Sequence, residues 1–122
     1  MYIPRNELER IGKREEVKNV GIYFLFGKDE DNAKMQVYIG EAENVNDRIK
    51  QHNREKDFWE LAIAVLTNNI QNQFTKTDVK YLELCSFEKA TEINRFKIPQ
   101  TKPANSFVPE WRKCDLFDIF KQ

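Results

Sequence analysis

Two short alternating segments constrain this chain more than any other feature. Val20 to Phe26 places Val20, Ile22, Phe24 and Phe26 on one side and Gly21, Tyr23 and Leu25 on the other. After the polar stretch Gly27 to Lys34, Met35 to Gly40 alternates again, with Met35, Val37 and Ile39 against Gln36 and Tyr38. A side-chain period of two is that of a strand, not a helix. A short polar connection between two strands permits only antiparallel pairing, since a parallel return needs a long crossover. Pairing Phe26 with Met35 sets Tyr23 directly across from Tyr38, both phenols on one face and the branched aliphatic residues on the other.

The segments that follow read as a helix, a strand and a second helix. Asn44 is a good N-cap with Asp47 three residues on, and the helix is expected to run to about Asn53 with Val45 and Ile49 inward. On that helix Arg48 and His52 are four apart and share a face. Phe58 to Leu66 is the most apolar stretch and reads as a buried third strand. Thr75 or Thr77 can cap the next helix, expected to run to about Arg95 with Val79, Leu82, Ser86, Ala90 and Ile93 inward. The proline-containing run from Lys97 to Pro109 ends it, and Glu110 to Phe120 suits a short amphipathic helix covering the core. Ahead of the first strand, "RNELERIG" suits a short helix anchored by Leu8 and Ile11.

Length and composition limit what such a chain can be. Its 122 residues make one domain, expected as a core over about 20–95, an N-terminal extension over 1–19, and a linker with a C-terminal helix over 97–122. Nine phenylalanines, four tyrosines and two tryptophans argue against disorder. No apolar run suits a membrane span or a secretory signal, so the expected compartment is the cytoplasm. Cys85 and Cys114 lack metal-site spacing, and a reduced structural role is expected for both. Lys plus Arg equals Asp plus Glu at 20 each, so the whole molecule has no net attraction for a polyanion. A local patch must do that work. Arg48 to Lys56 supplies one, with Arg48, Lys50, His52, Arg54 and Lys56 against the single acid Glu55.

Glu83 falls inside the inward stripe of the second long helix, one turn beyond Val79 and one turn short of Phe87. A carboxylate there costs several kcal/mol unless it is paired or binds a cation. A salt bridge to Arg48 or to a lysine is one solution. Cross-strand tyrosines often simply pack, and charged residues on a helix often only face water. Taken together, however, paired phenols, an arginine, a histidine and a misplaced carboxylate provide a base, a phosphate anchor and a metal ligand. Those are the parts needed to hydrolyse a phosphodiester.

The order and wording of these segments resemble the GIY-YIG nuclease superfamily. "GIY" stands at Gly21 to Tyr23 and "YIG" at Tyr38 to Gly40. "EAENVNDRIKQH" resembles the family helix, with its arginine at Arg48 and its histidine at His52. "TKTDVKYLE" resembles the start of the metal-binding helix, ending on Glu83. The resemblance implies an α/β core of the α+β type, a three-stranded antiparallel sheet flanked by helices. It implies one divalent cation, Mg²⁺ or Mn²⁺, held by Glu83. It makes Tyr23 the base that activates water, Tyr38 and Arg48 the groups that orient and neutralise the scissile phosphate, and His52 a proton-handling group. Arg48, Lys50, Arg54 and Lys56 would then meet the DNA backbone.

Many members brace the site with an asparagine after the metal-binding helix. Here Asn94 comes too early, and Gln100 or Asn105 is expected to substitute. The expected function is a metal-dependent DNA endonuclease, whose target-recognition part would lie in further domains outside this chain. The competing expectation is a nucleic-acid-binding or protein-interaction module of the same fold without the chemistry.

Overall fold

The computed structural model describes residues 1–14, 20–28, 35–55, 58–66, 74–100 and 102–103. Within them four strands form one antiparallel sheet: β1 (Tyr2–Pro4), β2 (Gly21–Lys28), β3 (Met35–Ala42) and β4 (Trp59–Leu66). Their spatial order is β1-β4-β2-β3. Three helices accompany the sheet: α1 (Leu8–Ile11), entered through a 3₁₀ turn at Arg5–Glu7, α2 (Val45–Glu55) and α3 (Lys76–Ile93). The α+β fold is as expected, but the sheet has four strands rather than three. The extra strand is β1, which pairs with β4 through Tyr2↔Ile63, Ile3↔Ala62 and Pro4↔Leu61. Leu8 and Ile11 are buried, as anchors of the short helix should be.

Alternation in β2 divides the core into two layers. Tyr23 and Leu25 point to the layer under α1 and α2, with Ile3, Leu8, Ala42, Val45, Ile49 and Trp59. Ile22, with Phe24 and Phe26, points to the layer under α3, with Val37, Ile39, Val79 and Leu82. Full burial of one such large apolar side chain contributes roughly 1.5–3 kcal/mol. A sheet buried on both faces therefore makes a 122-residue chain worth folding.

The helix starts follow their caps. Asn44 Oδ1 accepts from the Asp47 N–H at 3.1 Å and opens α2. Thr75, not Thr77, opens α3: its Oγ1 accepts from Asp78 N–H at 3.1 Å, and Asp78 Oδ2 accepts from Thr75 N–H at 2.9 Å. Asn94 ends α3 in the left-handed conformation, φ 55°. Asparagine tolerates that region better than most residues. The inward stripe of α3 holds at Val79 and Leu82, but Ile93 is 45 % exposed, on an open apolar groove it shares with Phe24, Phe26 and Phe96.

β3 is an edge strand, and its outward amides are covered one after another. Val37 N–H donates to Lys97 C=O at 3.0 Å, and Lys97 N–H returns to Met35 C=O at 2.9 Å. Ile39 N–H donates to Gln100 Oε1 at 3.0 Å, and Gln100 Nε2 donates to Ile39 C=O. The Glu41 N–H is taken by the Glu83 carboxylate. The proline-containing run after α3 thus begins as an edge cover, blocking a row of open backbone groups that would invite another strand. The amphipathic stretch Glu110 to Phe120, Cys114 and Asn105 lie outside the described residues.

Candidate active site

The β2–β3 register differs from the expected one by two residues. Lys28 pairs with Met35, so Tyr23 lies opposite Gly40 and Tyr38 opposite Leu25. Tyr23 and Tyr38 are not directly opposed, although a shift of two preserves the face and both phenols remain on it. The connecting residues 29–34 lie outside the described residues. Gly40 leaves the space that the Tyr23 ring occupies, which explains a glycine after "Tyr-Ile". At the other end of the ladder, Gly21 lets β4 and α2 close in: a Cβ there would lie 2.6 Å from the Val65 carbonyl.

Three rings gather where this face meets α2. The ring centres of Tyr23 and Tyr38 are 6.4 Å apart, those of Tyr38 and His52 4.9 Å, and those of Tyr23 and His52 5.5 Å. Tyr23 Oη and His52 Nε2 are 2.7 Å apart, a short hydrogen bond in a buried setting. His52 is buried because α2 carries it on the flank of the face that also buries Val45 and Ile49. Tyr23 is 1 % exposed, whereas Tyr38 is half-buried and forms the open wall of the cluster.

Charge from two other elements reaches these rings. Burial pushes the Tyr23 phenol well above the usual tyrosine range, and the neighbouring Tyr38, Glu83 and Glu41 push in the same direction while Arg48 opposes them. Tyr38 is raised by burial and then by Glu83, again against Arg48. Arg48 on α2 and Glu83 on α3 therefore both act on the phenols of β2 and β3. Neither phenol is ionised at neutral pH. Any base chemistry at Tyr23 must hand its proton on, and His52 Nε2 is the group in contact with it.

Glu83 is half-buried at the margin of α3, where the helix passes the β3 edge, and not in the core beneath the sheet. Its carboxyl is raised by burial first and by Glu41 second, while Lys76, Lys80 and the Glu41 N–H oppose the rise. Lys76 Nζ sits 3.0 Å from Glu41 Oε2. No group of three or more His, Cys, Asp or Glu residues converges as a metal site among the described residues. A single carboxylate with a second beside it, both oxygen donors, still fits Mg²⁺ or Mn²⁺. A hard cation that keeps most of its water needs only one or two carboxylates plus substrate phosphate.

The remaining expected residues distribute as follows. Arg48, Lys50 and Arg54 are exposed on α2, and Lys56 lies outside the described residues. Gln100 closes on the Ile39 backbone, so its amide braces the β3 edge rather than reaching the rings. Cys85 is a half-buried free thiol on α3. Sequence reasoning assigned Glu41 no role, although it stands beside Glu83. Its place directly after "Tyr-Ile-Gly" was the available signal.

The family profile of the GIY-YIG catalytic domain matches residues 19–96. No curated protein and no solved structure matches the chain. No helix among the described residues is long and apolar enough to cross a membrane.

Proposed function

Because this chain belongs to the GIY-YIG catalytic-domain family, a family of nucleases, we propose that it is a metal-dependent endonuclease that hydrolyses DNA phosphodiester bonds. The observation that carries the reading is the 2.7 Å contact between the buried Tyr23 hydroxyl and His52 Nε2, with the charges of Arg48 and Glu83 acting on the same phenols. A purely packed tyrosine pair has no need of a buried histidine acceptor.

The roles follow from the contacts. In this reading Tyr23 donates to Nε2 across their 2.7 Å contact, and the neutral imidazole carries its own proton on Nδ1. As water attacks phosphorus, its proton passes to Tyr23 Oη while the phenol proton passes to His52 Nε2. The step leaves a neutral phenol, an imidazolium and a new P–O bond, and the nucleotide oxygen departs with the electrons of the broken P–O bond. Because Tyr23 is 1 % exposed, attacking water reaches its hydroxyl only as the more open Tyr38 ring gives way, while the Tyr23–His52 contact that carries the proton is kept. Tyr38, at the open wall, offers its hydroxyl to a phosphate oxygen. Arg48 supplies a planar, permanently charged donor to the same group.

Glu83, with Glu41 beside it, would hold Mg²⁺ or Mn²⁺. When bound, such a cation stabilises charge building on the phosphate and leaving oxygens. Lys50 and Arg54 extend the positive surface of α2 along the duplex backbone.

The test is nicking of supercoiled plasmid in Mg²⁺ by wild type and by Tyr23→Phe, His52→Ala and Glu83→Ala. The reading expects every substitution to slow nicking by orders of magnitude, with only a residual rate left in Tyr23→Phe and His52→Ala. Equal and undiminished binding of duplex DNA by all four proteins, with no cutting by any, would instead favour a binding module of the same fold.

A further inference from the structure

Arg5 lies outside residues 19–96 and belongs to none of the roles above. It follows β1, which is fixed to β4 by three paired residues and by the Ala64 N–H donating to the Met1 carbonyl at 2.9 Å. From there its guanidinium spans the connection between α2 and β4. Nε donates to Asn53 Oδ1 at 2.8 Å, Nη2 to the Asn53 carbonyl at 3.0 Å, and Nη1 to the Trp59 carbonyl at 3.0 Å. The same plane lies 4.9 Å from the centre of the Trp59 ring, whose side chain is fully buried.

These contacts converge one residue from His52. The Asn53 carbonyl belongs to the last turn of α2, where carbonyls lack partners inside the helix. A cation there also complements the negative end of the helix. The guanidinium thus holds the C-terminal end of α2 at a fixed distance from β4, which in turn pairs with β2 through Tyr23↔Ala64. His52 is set from one side and Tyr23 from the other. Three donors fixed in one plane meet three acceptors, and a lysine offers no such fork.

We infer that Arg5 is a positioning residue: it clamps the end of α2 to β4 so that His52 Nε2 meets the Tyr23 hydroxyl. The N-terminal extension is then part of the functional unit and not only an added strand. The activity arm of its test rests on the nuclease reading, but the positioning itself does not.

His52 is the only histidine in the chain, so its imidazole gives a single unambiguous set of NMR signals. Those signals are compared in wild type, Arg5→Ala, Arg5→Lys and Asn53→Ala, each at a temperature where amide spectra show it folded. Displaced His52 ring signals are expected in all three variants, with Arg5→Lys resembling Arg5→Ala. Plasmid nicking is expected to fall on the order of 10- to 100-fold in Arg5→Ala, since a small misplacement of a reacting group has that cost. The same substitution should cost almost nothing further in a His52→Ala background. Unmoved ring signals in folded Arg5→Ala and Asn53→Ala would overturn the inference, as would an undiminished additional loss of nicking on the His52→Ala background. Moved signals in a protein whose wild type cuts no DNA would keep the clamp and remove the nuclease reading.

Discussion

Tyr23 stands directly across the β2–β3 ladder from Gly40, and its ring fills the place where a residue-40 side chain would begin. A Cβ at Gly40 would sit 2.4 Å from both Cζ and Oη of Tyr23. The ring cannot swing clear cheaply, because it is buried and its hydroxyl is bonded to His52. Gly40→Ala is therefore expected to destabilise the fold by about 1–3 kcal/mol, the usual cost of overpacking. It should also break the Tyr23–His52 contact and with it most nicking activity. Urea denaturation and the plasmid assay check both parts. Wild-type stability in Gly40→Ala would show that the ring has room to move.

Glu83 links stability to function with opposite signs. Burial, and then Glu41, raises its carboxyl above the ordinary glutamate value. In the unfolded chain the same carboxyl ionises at the ordinary, lower pH. Between the two values the folded state retains a proton that the unfolded state has released. The favourable contribution of this group is thus full below the unfolded value and lost as pH rises through the folded one. Glu83→Gln, neutral at every pH, is expected to raise the melting temperature at pH 7 while abolishing metal-dependent cutting. Mg²⁺ should raise the melting temperature of wild type and leave that of Glu83→Gln unchanged, because only binding to the folded state shifts the equilibrium. Calorimetry with and without Mg²⁺ makes the comparison. A variant less stable than wild type at neutral pH would contradict the sign.

Gln100 answers a single edge residue with both ends of its amide. Its removal in Gln100→Ala leaves the Ile39 N–H and C=O without those partners at a largely buried position. The expected cost is about 1–3 kcal/mol. Because Glu41 and Glu83 meet two residues further along the same edge, metal affinity should weaken as well. Denaturation and Mn²⁺ titration test this; loss of neither would mean the edge is held without it.

The start of α3 gives a control without a role in the chemistry. Thr75→Ala removes one half of a reciprocal cap and should cost about 1 kcal/mol. Residual activity per folded molecule should remain near wild type. A large loss of activity at unchanged stability would tie this helix end to the site more closely than its position suggests.

The parts of this fold that were legible in the sequence are the local ones. Period-two alternation fixed the faces of β2 and β3, and Asn44 and the Thr75/Thr77 pair marked helix starts because a cap acts within three residues, the choice of Thr75 coming only from its geometry. Tyr23, Tyr38 and His52 came together because strand and helix periods set their faces before any tertiary contact is known, with Arg48 exposed one turn from His52 on α2. Register was not legible, since it depends on the turn, and two offsets differing by two residues bury the same side chains. β1 was missed for a related reason. Tyr-Ile-Pro carries almost no strand signal of its own, and its partner β4 lies about sixty residues away in the chain. Glu83 looked inward from helical spacing alone. How far α3 sits toward the β3 edge decides whether that position meets the core or the margin, and spacing does not encode it. Arg5 was invisible for the same reason as β1, because its acceptors are Asn53 and Trp59.

The account turns on Tyr23 passing the proton of an attacking water to His52. Its most direct test is the Mg²⁺-dependent nicking rate of wild type beside Tyr23→Phe, which keeps the ring and its packing but removes the hydroxyl. The predicted result is a drop on the order of 10²- to 10⁴-fold, the usual worth of general acid–base catalysis. A Tyr23→Phe protein that nicks plasmid at the wild-type rate would contradict it.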